Sequence, residues 1–283
     1  LLTSFFIHTF IIYSSLTMNV LYNFFLLLGF LVFFISAISH SESSLISFSI
    51  GAGFNNTMTL EDQNSSANTP PAIFGEGHHS KGENNDLLNI SLGFSYQVKP
   101  WFDLEVKYDY QGMTFNGNAN FTHAGSYQPT TADIRSDGLF LGGRFNFHSL
   151  LNDSHSNINP YFSLGIGITK ITSDKVHFSF PALKEKNNVI SALTTSAGGT
   201  NTNGAFRIGA GFDWPFTAKW GTSVSYHFYH LGDMKTDEGT AYIYGHGIAK
   251  DTETNKYGKL LYVDGLKSKI QTNILSIDLW RRF

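Results

Sequence analysis

The sequence predicts an all-β chain, an eight-stranded antiparallel up-and-down transmembrane β-barrel. Three observations predict it. Stretches of about ten residues alternate between large apolar and polar side chains, long enough to cross the hydrocarbon core of a bilayer as tilted strands. Such stretches recur eight times. The connections between them are alternately long and short, the pattern of a barrel with extended loops at one end and tight turns at the other.

The N-terminal part reads differently. Residues 1–17 carry no Met and no charge and are expected to be upstream-translated or non-native sequence. Residues 18–39 read as a signal peptide. An apolar run from Val20 to Ile38 ends in the small-x-small triplet Ala37-Ile38-Ser39, which leaves residues 40–283 as the barrel domain. The rival reading is one transmembrane helix, for which about 20 apolar residues suffice. The rest of the chain has no second helix-length apolar run, so an export signal is the better reading.

The strands follow in order. In the first, Ile46, Phe48, Ile50, Ala52 and Phe54 alternate with Ser47, Ser49, Gly51 and Gly53. A polar stretch, 56–86, rich in Asn, Gly and Ser, reads as a loop. The second sets Leu88, Ile90, Leu92, Phe94 and Tyr96 against Asn89, Ser91, Gly93, Ser95 and Gln97. The turn Val98-Lys99-Pro100 leads to the third, where Phe102, Leu104, Val106, Tyr108 and Tyr110 alternate with Asp103, Glu105, Lys107 and Asp109. Residues 112–136 read as the second long loop.

The fourth strand places Leu139, Leu141, Gly143, Phe145 and Phe147 outward and Gly142, Arg144, Asn146 and His148 inward. The fifth sets Phe162, Leu164, Ile166 and Ile168 against Ser163, Gly165, Gly167 and Thr169. A third long loop, 172–203, precedes the sixth, with Phe206, Ile208, Ala210, Phe212 and Trp214 outward and Arg207, Gly209, Gly211 and Asp213 inward. The seventh has Val224, Tyr226 and Phe228 outward and Ser223, Ser225, His227 and Tyr229 inward. After a fourth long loop, 232–268, the last strand puts Leu275, Ile277, Leu279 and Phe283 on one face and Ser276, Asp278 and Arg282 on the other.

The inward set Asp103, Glu105, Lys107, Asp109, Arg144, Arg207, Asp213 and Asp278 is a candidate lumen charge network. It reads either as a channel lining or as a plug of paired charges. An eight-stranded barrel is only wide enough for side chains to fill it. Buried charges cost several kcal/mol each unless they find partners, and both signs are present, so the plug is the better reading. Arg144 is expected to pair with a carboxylate of the third strand, its neighbour. The four tryptophans, Trp101, Trp214, Trp220 and Trp280, fall near the short turns or the terminus and read as an interfacial aromatic belt.

This arrangement resembles the OmpA-type eight-stranded outer-membrane barrels and the related opacity-like bacterial surface antigens. The resemblance rests on the alternating strands, the Pro160-Tyr161 start of a Gly-rich fifth strand, the segment Tyr226-His227-Phe228-Tyr229-His230-Leu231-Gly232-Asp233, and Phe283. It implies the outer membrane of a Gram-negative bacterium, contact with its lipid and lipopolysaccharide, and a last strand (Leu275, Ile277, Leu279, Phe283) that is read by the barrel assembly machinery. Arg281-Arg282 departs from the usual ending of such strands.

Other chemistry is thinner. The formal net charge of −3 argues against a nucleic-acid partner. The absence of Cys removes disulfides, thiol catalysis and thiolate metal sites. His227 and His230 near Ser223 and Ser225 invite a lipid A hydrolase reading, but on a strand the two histidines face opposite ways. His78-His79 reads as a solvated loop pair, and no Gly-rich piece has the G-x-G-x-x-G spacing that cradles phosphate. No cofactor is expected. The expected function is a non-catalytic surface protein with envelope-structural and recognition roles, its ligands met by loops 56–86, 112–136, 172–203 and 232–268. A narrow solute channel is the alternative.

Overall fold

Eight long strands close into a ring because each carries backbone donors and acceptors that only a neighbouring strand can satisfy inside lipid. The computed structural model describes residues 44–54, 56–67, 72–74, 76–119, 129–147, 158–179, 193–243 and 259–283. The expected signal and upstream segments, 1–39, lie outside the described residues.

The ring runs β1 (Ser44–Phe54) with its continuation β2 (Asn56–Asp62), then β3 (Ser80–Lys99), β4 (Phe102–Ala119), β5 (Pro129–Asn146) and β6 (Asn159–Ser173). Two short strands, β7 (His177–Ser179) and β8 (Leu193–Thr195), branch from the edge of β5. The ring continues with β9 (Gly199–Pro215) and β10 (Trp220–Lys235). A separate hairpin follows, β11 (Gly239–Ile243) with β12 (Lys259–Val263), and β13 (Leu266–Arg282) completes the ring. Antiparallel pairing of Leu45 with Arg282 through Phe54 with Asn273 closes it, so Leu45–Arg282 forms one unit.

The strands are longer than the sequence pattern suggests. β4 and β5 reach Ala119 and Pro129, well into the expected loop 112–136. β2 and the start of β3 occupy much of 56–86, and the ends of β6, β9, β10 and β13 enter the other two loops. The cause is an inversion of polarity. On β4, Glu105, Lys107 and Asp109 face inward in the lower half, but Met113 and Phe115 take the same phase above Gln111. The outward phase changes the other way, from Leu104, Val106 and Tyr108 to Thr114, Asn116 and Asn118. A wall with a polar exterior and an apolar interior is built for water, so the upper strands emerge from the membrane as an ordinary soluble-type barrel.

The apolar core lies inside this emergent half. Met113, Phe115, Ile134, Ile171, Leu231, Met234, Leu266 and Ile270 are all buried there. Phe74, from the segment after β2, and Phe178 of β7 pack into it edge to face, ring centroids 5.5 Å apart. Asp62 holds Phe74 in place: its carboxylate accepts the backbone N–H groups of Ile73 at 2.7 Å and Phe74 at 3.0 Å.

Candidate functional site

In the lower half the lumen is filled by charge pairs. Arg144 of β5 bonds Asp213 of β9, and Arg207 of β9 bonds Glu105 of β4. Lys107 of β4 lies 3.7 Å from Asp278 of β13. Six of the eight expected network residues are thus paired across the lumen. Asp109 accepts a hydrogen bond from the Tyr229 hydroxyl at 3.3 Å, and Asp103 accepts one from Asn146 at 2.9 Å.

Arg144 differs from the expectation. Asp103 sits opposite it in the β4–β5 register, yet its partner is Asp213. Inward side chains on adjacent strands run side by side, whereas a long guanidinium crosses a narrow lumen. Its Cζ lies 3.6 Å from the centroid of the Tyr161 ring, which orients it toward β9. Ser223 completes the site by donating to Asp213 at 2.6 Å.

The lattice meets the apolar core at Phe140 and Tyr229, two fully buried rings 5.7 Å apart and edge to face. Phe140 had no place in the sequence reading because it breaks the polar inward phase of its strand. Met113 and Phe115 were missed for the same reason. The parity of each strand, carried past Gln111 and Ser136, is the signal that finds them.

The tryptophans divide. Trp101, Trp214 and Trp220 are exposed at the short-turn end, where the lipid interface lies. Trp280 is a correction: it is 4% exposed and points into the lumen. It shares the phase of Ser276 and Asp278, and Gly221 opposite leaves the space its ring needs, since a Cβ there would lie 2.1 Å from Cζ2. Tyrosines mark the upper edge instead. Tyr108 donates to Asp137 at 2.5 Å and Tyr226 to Asn273 at 2.6 Å, both from the outer face. On β13, Leu275, Ile277 and Leu279 are outward and about half exposed; Phe283 is partly buried.

His227 is buried in the lumen, while His230 stacks on Phe206 outside, 5.2 Å between ring centroids. His78 and His79 line a small polar cleft at the outer rim with Glu61, Asp62, Gln63 and Lys267. Among the described residues no group of three or more His, Cys, Asp or Glu is placed to hold a metal.

A closed ring with this exterior apolar band matches what a family comparison finds: the model of the outer membrane protein beta-barrel domain matches residues 25–245. The chain belongs to that family. The outer membrane protein beta-barrel domain places this protein in the outer membrane of a Gram-negative bacterium. OprG from Pseudomonas aeruginosa is similar, at 12% identity over 85% of this chain and 96% of that one, with a TM-score of 0.44. The protease OmpT from Escherichia coli is 8% identical over 85% and 97%, TM-score 0.42. Neisserial surface protein A is 11% identical over 86% and 98%, TM-score 0.37. No curated protein matches the chain.

Proposed function

We propose that this barrel is a non-conducting, non-catalytic surface protein that meets its ligands with the wall and loops of its emergent half. The observation that carries the reading is the double occlusion of the lumen. Charge pairs fill the lower half, and above them Met113, Phe115, Leu231 and Phe178 form an apolar seal that water and ions do not cross. The arrangement of the serines supports the absence of catalysis. Ser223 donates directly to Asp213, and Ser225 to Asp278 at 3.2 Å, so no histidine stands between hydroxyl and acid. What remains for function is the exterior above the lipid, where Thr114, Thr131, Thr172 and Thr200 offer polar contacts on rigid strands.

Single-channel recording of the refolded barrel in planar bilayers tests this. The expected trace is silent, with folding shown by heat-modifiable gel mobility. Stable, reproducible openings would transfer the function to the channel reading and make Glu105, Lys107 and Arg207 the lining.

A further inference from the structure

The polar cleft at the outer rim has no part in closing the lumen. Given the recognition role proposed for the emergent half, on which this step rests, we infer that the cleft binds a neutral hexose at the non-reducing end of a surface glycan.

Three segments build it: the end of β2 with the turn that follows, residues 77–79 before β3, and Lys267 near the start of β13. Its volume is about 280 Å³, small for a ligand pocket and enough for one sugar ring. The β2 side is tied down. Gln63 donates its backbone N–H to the Gly265 carbonyl at 2.9 Å and its side-chain amide to the Thr236 carbonyl at 2.6 Å. The Asn64 N–H donates to the Asp264 carboxylate at 3.1 Å, and the Asn64 side-chain oxygen accepts the Ser66 N–H at 3.3 Å. The cleft therefore presents its groups from a fixed turn.

The lining selects by elimination. Among the described residues every lining side chain is polar, so an apolar ligand finds no matching wall. A divalent cation needs several oxygen ligands, but Asp62 uses both its oxygens on the backbone N–H groups of Ile73 and Phe74, which leaves the Glu61 carboxylate. An anion meets Glu61 as well as Lys267. These two are register partners on adjacent strands, on the outer face opposite the buried Asp62 and Leu266, yet no ion pair joins them. Adjacent strands lie about 5 Å apart, so two neighbouring hydroxyls of a pyranose fit between the side chains. One donates to the Glu61 carboxylate and the other accepts from the Lys267 ammonium. Lys267 gives one of its protons to the Gln63 carbonyl at 3.4 Å, which holds it at the cleft with donors to spare. Asn64 keeps its amide nitrogen, and Ser65 its hydroxyl, for further contacts. A hydroxyl both donates and accepts, so a neutral sugar uses a lining of mixed sign better than a ligand of either charge.

The test uses the protein purified from outer membranes in mild detergent, applied to an array of oligosaccharides with one shared core. Their ends are galactose, glucose, sialic acid or sulfated galactose. The neutral ends should be retained about tenfold better than the charged ends, the worth of one hydrogen bond to a charged group. Glu61→Gln should lose about tenfold on the neutral ends, and Ser65→Trp, which fills the cleft, should lose binding altogether. Both positions are exposed, and heat-modifiable mobility checks that the variants fold. Thr172→Ala, on the outer face of β6, should bind as the parent does. Preference for sialylated or sulfated ends overturns the inference. Hexose retention that survives in folded Glu61→Gln and Ser65→Trp proteins, or falls equally in Thr172→Ala, overturns it as well, and the recognition role then stands with its ligand elsewhere on the emergent half. Retention of none of the glycans also overturns it, while a silent conductance trace would leave the recognition role in place.

Discussion

Arg144 bonds Asp213 across the lumen and leaves Asp103, its register partner, to Asn146. The two acids should therefore differ sharply on mutation. Asp213→Asn strands a buried guanidinium over Tyr161, a loss of about 3–5 kcal/mol. Asp103→Asn keeps an acceptor for Asn146 and gives up only the charge at a partly exposed position, a loss of about 1 kcal/mol. Urea unfolding in lipid vesicles, followed by tryptophan fluorescence, measures both. Equal effects would mean that Arg144 is shared between them.

Phe74 and Phe178 close the apolar half from above. Phe178 is fully buried, so Phe178→Ala should cost about 3–5 kcal/mol in the stability of the emergent half. The loss should appear as proteolytic nicking at lower temperature. Conductance should stay absent, because Phe140, Tyr229 and the ion pairs still fill the lumen beneath. A steady pore in Phe178→Ala alone would show that the upper seal was the only barrier.

The outer face of β6 gives a direct measure of where lipid ends. Ile166 is 70% exposed in the apolar band, whereas Thr172, three outward positions higher, sits beside Thr200 in the emergent wall. Ile166→Arg should cost about 2–4 kcal/mol and Thr172→Arg about 0–1 kcal/mol. The comparison is made by reversible unfolding in vesicles. Similar costs at both sites would place the upper wall within the bilayer.

The membrane-crossing half was legible in the sequence because lipid outside and charge inside impose a strict period of two. The same rule hid the rest. Above Gln111 or Ser136 the period persists but its phase inverts, and Thr114, Asn116 and Asp133 on an outer face read as loop. The identity of the inward charges was also legible, since parity alone assigns them. Their partners were not, because Arg144 and Arg207 reach across the ring to strands that chain order does not make adjacent. Trp280 shows the hazard of reading residue type before phase: its position among Ser276 and Asp278 already assigned it to the lumen.

The bulge in β10 keeps the emergent core filled after the polarity changes. The register with β13 shifts between His230 and Gly232, so both Leu231 and Met234 are buried on the inner side. Gly232 makes the shift with φ of +96°, a backbone conformation that costs an L-residue about 1–2 kcal/mol. A Cβ there would also lie 2.4 Å from the Cβ of Asn203, whose amide donates to the Asp233 carbonyl at 2.9 Å. Gly232→Ala should therefore destabilise by more than the backbone cost alone. Gly204→Ala is the control: it lies on the outer face with nothing within 4 Å of its Cβ, and should stay within about 0.5 kcal/mol of the parent. Paired urea titrations decide the matter. If Gly232→Ala is as mild as the control, the bulge is not fixed by this glycine and the inward placement of Met234 has another cause.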